Sequence, residues 1–273
     1  MSNTTSFREL HNGPGAFVMP NPWDIGSARM LAAMGFPALA TTSAGMAFSM
    51  GLREGRASDA AVLDHCRMIV GATALPVSAD LEYGLGHSPE SAAETMRVAA
   101  KTGLAGCSLE DFTGDPENPI YEFNHAVDRI AAASEAARAL PRDFVLTARA
   151  EALQYGSTDV DDIIRRLQAF EAAGADVLYA PDLHDLELIR TVCSSVSKPV
   201  NVVMGLPGAT FTISELSDAG VRRISVGAAM ARTAYGAFID AAREVLDQGS
   251  FTYSHKAIGF AEIEALLPET ENS

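Results

Sequence analysis

The chain has 273 residues, 48% hydrophobic and 20% charged, with 22 glycines, three cysteines and a formal net charge of −15. That length and composition suit one large core, and the acidic balance argues against nucleic acid or an anionic membrane surface as the main partner. The odd cysteine count without CxxC spacing points to a reducing, cytoplasmic setting and no structural zinc; the N-terminus MSNTTSFRELHNGPG lacks an apolar signal core, and no run of about 18 apolar residues offers a membrane span.

Along the chain one pattern recurs. AAMGFPALATTS, AKTGLAGCSLED, AAGADVLYAP and SDAGVRRISVG each read as a helix end closed by Gly and followed by a short apolar strand. With AFVMPN, LPVSADLE, DFVLTARAE and KPVNVVM they predict eight strands, at about 16–20, 38–43, 76–82, 106–111, 144–151, 177–181, 199–204 and 223–227. Helical stretches such as DVDDIIRRLQAFEAAG, with apolar residues at steps of three and four, lie between them. Apolar strands alternating with helices make a parallel sheet, and eight such units favour a closed (β/α)8 TIM barrel over a doubly wound sheet. The glycines at 84–86 lack GxGxxG spacing, which counts against a dinucleotide fold. The expectation is a single domain over 1–273, with its core at about 14–247. A last helix spans about 228–247, and the tail 248–273 carries apolar residues that need a partner.

Barrel chemistry sits at the C-terminal ends of the strands. There the sequence puts Asn21, Thr42 to Gly45, Asp80 with Glu82, Glu110 with Asp111, Arg149 with Glu151, and Gly205 to Gly208. Alternation sets Ser108 and Glu110 on one face, and Cys107 and Asp111 on the other. Carboxylates converging at an apolar barrel mouth raise one another's pKa unless a cation is bound. Oxygen ligands without His or Cys suit Mg2+ (or Mn2+), which keeps several waters. Asp80 is then the direct ligand, with Glu82 and Glu110 holding the ion's waters. Asp111 and Asp115 read as helix caps or exposed loop charges, His87 as the cap of a helix starting near Pro89, and Met46, Met50, Met204 and Met230 as core or pocket wall.

The stretches NPWDIGSARMLAAMGF, TTSAGMAFSMGLREG, SADLEYGLG, GCSLED and LTARAEA resemble the isocitrate lyase/phosphoenolpyruvate mutase superfamily over about residues 14–247. The resemblance implies a metal-held 2-oxo acid, or its enolate, at the barrel mouth. Asp80 resembles the inner ligand and Glu82 and Glu110 its water-mediated partners. Ser43, Ala44 and Gly45 resemble the turn whose N–H groups hold the substrate carboxylate. Arg149 resembles the substrate-binding arginine rather than a structural ion pair with Glu151. Glu54 falls where the family usually has an Asp, on a Gly-rich gating loop.

The chain departs from the family's lyases in two places. Their Lys-Cys-Gly loop is replaced by FTGDPENPIYEF at 112–123, and their Asn-x-Thr-Glu motif by VVMGLPG. These losses argue against isocitrate or methylisocitrate cleavage, and the absence of a basic loop argues against mutase chemistry. What the resemblance leaves is a Mg2+-dependent lyase acting on a small 2-oxo or 2-hydroxy carboxylate through a pyruvate-type enolate, by decarboxylation or C–C cleavage of an oxaloacetate-like substrate. Its catalytic residues would be Arg149, Glu110 and Glu54, with Tyr83 or His87 as proton donor. Phosphonopyruvate-type C–P chemistry, a non-catalytic 2-oxo-acid-binding barrel, and a phosphate-binding barrel using ISVGAAMAR remain alternatives. The family's exchange of the last helix predicts a homodimer or homotetramer.

Overall fold

The computed structural model describes residues 6–208 and 210–269. Its eight strands are β1 (Phe17–Met19), β2 (Leu39–Ala40), β3 (Val77–Asp80), β4 (Gly106–Glu110), β5 (Val145–Arg149), β6 (Val177–Tyr179), β7 (Val200–Val203) and β8 (Arg223–Ser225). All pairings are parallel, in the order β1-β8-β7-β6-β5-β4-β3-β2. The seam between β1 and β2 is bridged by the Ala40 N–H donating to Pro20 O (3.0 Å) and by Asn21 Nδ2 donating to Thr41 O (2.9 Å), so the barrel is nearly closed. Each predicted strand is present. They run shorter than expected because Glu82, Asp111 and Glu151 have left the ladder and entered the loops that carry the site.

Helices α1 (Phe7–Asn12), α2 (Ile25–Ala33), α3 (Ser43–Ser49), α4 (Asp59–Ala72), α5 (Pro89–Lys101), α6 (Phe123–Arg138), α7 (Val160–Ala172), α8 (Leu186–Ser194), α9 (Ile213–Asp218), α10 (Ala229–Gln248) and α11 (Phe260–Glu264) complete the fold. Their starts follow capping chemistry: Ser88 caps α5 with Pro89 in the first turn, and Asp159 and Glu122 cap α7 and α6. His87 therefore does not cap α5, contrary to the expectation, because the neighbouring serine presents the acceptor.

Most of the core lies between strands and helices, where Ile69, Met96, Leu109, Leu146, Leu167 and Ile189 are fully buried. A second cluster, including Phe7, Met19, Ala40, Val145 and Val177, groups strand residues with Phe7 of α1. Beside it lies a polar group: buried Arg223 donates to Asn201 Oδ1 (2.8 Å) and Thr147 Oγ1 (3.0 Å) and meets His11 Nε2 at 3.3 Å.

Helix α10 behaves differently. Only Ala229 and Ala231 of its twenty residues are buried. Phe238 is 68% and Leu246 84% exposed, and in the tail Phe260 is 88% exposed. Among the described residues no helix is long and apolar enough to cross a membrane.

Candidate active site

Parallel register brings the site together. Glu110, at the end of β4, pairs directly with Arg149, at the end of β5, and Asp80 closes β3 next door. The Arg149 guanidinium lies among the acids: Nη1 contacts Glu110 Oε1 at 2.7 Å and Asp80 Oδ1 at 3.0 Å, while Nε donates to Glu151 Oε1 at 2.8 Å. Its Cζ sits 4.6 Å from the centre of the Tyr179 ring. The reading of Arg149 as facing the site instead of pairing with Glu151 therefore needs correction, since it does both. Glu151 is 1% exposed, too deep to face the mouth.

Burial acts on the deepest charges here. It pushes the Glu110 and Glu151 carboxyls up, with Arg149 opposing. For Arg149 itself burial works downward but is outweighed by Glu110, Glu151 and Asp80, so its pKa lies above the ordinary arginine value. The acids thus tolerate one another in this structure because one fully charged guanidinium is shared among three of them.

Glu82 stands outside that arrangement. It has φ +50, and among the described residues its carboxylate makes no hydrogen bond or ion pair. Burial, then Asp80, then Glu54 push its pKa up to about 7. The exposed loop carrying Glu54 lies near the acids, and partial desolvation followed by the charge of Asp80 raises Glu54 as well. Asp80 Oδ2 accepts from Ser43 Oγ at 3.0 Å. Ser43, Ala44 and Gly45 open α3. Thr42 Oγ1 takes the Gly45 N–H (3.2 Å), while the Ser43 and Ala44 N–H groups lie in the first helical turn, with no preceding helical carbonyl to receive them. Gly45 is required by space, since a Cβ would stand 2.6 Å from Thr42 Cγ2 and 3.0 Å from Trp23 Cβ.

Whether these residues suit a dication can be judged from the donors. Asp80, Glu82 and Glu110 offer only oxygens, and Glu82 is an uncompensated acid held beside another. Among the described residues no three acidic, histidine or cysteine side chains converge closely enough to hold an ion unaided. The chemistry of the set fits a hard ion that keeps most of its own waters.

Alternation on β4 holds. Cys107 packs against Met96 (3.7 Å) on α5, and Asp111 points outward. Asp111 is nonetheless neither a cap nor an exposed charge. It is 2% exposed, pairs with Arg166 of α7 at 3.2 Å and accepts the Glu151 N–H at 2.8 Å. Burial pushes it up to about 7, against the pull of the Glu151 N–H and Arg166. Asp115 is an exposed loop charge, as expected. The 112–123 loop bonds to itself, with Thr113 N donating to Pro119 O (2.8 Å) and Phe112 bridging Ile120.

His87 stacks on Tyr83 (5.2 Å) and its Nδ1 lies 2.6 Å from Tyr121 Oη, so the two candidate proton donors belong to one aromatic cluster. Arg129, missed in the sequence, closes that cluster. It is buried on α6, donates Nη1 to Gly86 O (2.7 Å) and Nη2 to Tyr83 O, and lies 4.7 Å over the Tyr121 ring. Tyr155, also missed, stacks on Phe112 at 4.6 Å near Glu110 and Arg149, and no sequence pattern marks it. The N–H groups of Val226 and Gly227, where a phosphate would dock before α10, are already donated to Asn21 Oδ1 at 2.9 and 3.0 Å.

A family model described as phosphoenolpyruvate phosphomutase matches residues 7–246. The chain belongs to that family. It is 52% identical to a putative lyase/mutase from Burkholderia cenocepacia J2315, with a TM-score of 0.93 covering 95% of this chain and 94% of that one. It is 31% identical over 232 residues to the 2-methylisocitrate lyase of Shewanella oneidensis, covering 81% and 78% of the two chains. An oxaloacetate acetylhydrolase bound to its product oxalate superposes with a TM-score of 0.85 at 27% identity, over 97% and 94%. This family member thus carries the superfamily's (β/α)8 barrel, and its named relatives act on small carboxylates.

Proposed function

We propose that this family member is a Mg2+- or Mn2+-dependent lyase acting on a small 2-oxo or 2-hydroxy carboxylate through a pyruvate-type enolate. Decarboxylation or C–C cleavage of an oxaloacetate-like acid fits best. The observation that carries the reading is Asp80 and Glu82 held side by side at a barrel mouth with Arg149 as the one guanidinium among the acids. Asp80 would hold the ion, with Glu82 and Glu110 on its waters. A bound dication would supply Lewis-acid stabilisation of the negative charge that develops on the 2-oxo oxygen.

The chain's own residues do the rest. Arg149 Nη2, which has no partner among the described residues, is the nitrogen open to the substrate carboxylate, and the planar guanidinium holds it with a fixed geometry where lysine offers a single point charge. The Ser43 and Ala44 N–H groups add fixed donors, each worth about 3 kcal/mol by analogy with oxyanion-hole deletions. Glu54, on its exposed loop near the acids, would close the mouth and exclude water. The 112–123 loop offers neither Cys nor Lys to protonate a departing fragment, which favours a leaving group such as CO2 that needs no proton.

The test is CO2 or oxalate release from oxaloacetate and related 2-oxo and 2-hydroxy acids with Mg2+, in the parent and in Arg149→Lys. Turnover reduced about a hundredfold in the variant is expected. Binding of oxalate with Mg2+ but turnover of no acid would instead make the chain a 2-oxo-acid-binding barrel.

A further inference from the structure

We infer that the cleft opening beside Asp80 and Glu82 receives an uncharged, apolar substituent on C3 of the 2-oxo acid, not a second carboxylate. This rests on the proposed function for its head group and adds the chemistry of the distal half. The cleft shares Ser43, Asp80 and Glu82 with the candidate site and reaches Gly55 and Ala57 of the segment next to Glu54. Its walls are Met46 and Ala47 of α3, Val62 and Leu63 of α4, and Leu81 and Leu85 of the turn after β3. Its charged lining is acidic only: Asp59, Asp80 and Glu82. Among the described residues no arginine, lysine or histidine contributes to it. From that exposed loop Gly55 and Ala57 line the space, while Arg53 and Arg56 do not.

A carboxylate placed there would lose its water, would meet no cation but only the hydroxyls of Ser43, Tyr83 and Thr95, and would face Asp59, whose charge already helps raise Glu82. An alkyl group would lose only unfavourable contact with water. A carboxylate that departs as CO2 does not compete for this cleft, because the alkyl group stays on the carbon that remains.

The test is calorimetric binding, with Mg2+ present, of oxalate, pyruvate, 2-oxobutyrate, 2-oxopentanoate and 2-oxoglutarate to the parent and to Leu63→Arg. Affinity should rise about fourfold per added methylene, and 2-oxopentanoate should bind the parent at least tenfold tighter than 2-oxoglutarate. Leu63→Arg should invert that preference. If oxalate binds but 2-oxoglutarate matches 2-oxopentanoate, or chain length has no effect, this inference is overturned while the head-group reading stands. If not even oxalate binds, the head-group reading falls and takes this one with it.

Discussion

Two arginines that face the barrel interior show how burial is handled residue by residue. Arg149 is compensated by three carboxylates, whereas Arg223 has only neutral partners, and burial lowers its pKa to about 9. His11 pays part of that cost: burial, then the charge of Arg223, lower its pKa to about 3. The ring is neutral, accepting from Arg223 and donating Nδ1–H to Phe7 O at 2.8 Å. Because the folded pKa lies below the unfolded one, His11 leaves stability intact above about pH 6.5 and costs increasingly more as pH falls from there toward 3. Urea unfolding at pH 7 and pH 5 should show the parent losing ~2 kcal/mol more than His11→Asn. Equal losses would mean that His11 is protonated in the fold. Asp80, Glu82, Glu110 and Arg149 are legible in the sequence because each ends an apolar run, where a barrel puts its chemistry. The pairings of Asp111 with Arg166 and of Arg149 with Asp80 are not, because the partners lie 55 and 69 residues apart. Only the folded register brings such pairs together.

At the scale of elements, the turn between β3 and α5 matters most. It carries Asp80 at its start, bends through Glu82 (φ +50) and Gly84 (φ +82), and is tied to α6 by Arg129. Arg129→Met would leave the Tyr83 and Gly86 carbonyls without their donors, costing roughly 2–4 kcal/mol in urea unfolding. If the turn positions the acids, Mg2+ affinity should fall at least fivefold in the folded variant. Unchanged affinity would reduce Arg129 to a structural role. The eight strands and the last helix are readable because Gly-closed helices and short apolar runs repeat along the chain. The clamp is not, since a lone arginine on a helix looks like any solvated charge until its carbonyl partners fold around it.

For the molecule as a whole, α10 is the feature that a single chain leaves unexplained. A twenty-residue helix with only two buried residues has little reason to be stable alone, since helices of this size draw most of their stability from tertiary packing. We propose that it packs against a second barrel, giving a homodimer or homotetramer. Light scattering should report an assembly, and Phe238→Asp with Leu246→Asp should shift it to monomer. A monomeric parent would contradict this.

The central claim is that the paired acids at the mouth hold a divalent cation. Titrating Mg2+ into metal-free protein by calorimetry tests it most directly, in the parent and in Asp80→Ala, with folding of both checked by circular dichroism. Saturable uptake in the parent, strengthened by oxalate and lost in Asp80→Ala, is the predicted result. No uptake by the parent, or the same uptake in both proteins, would contradict it.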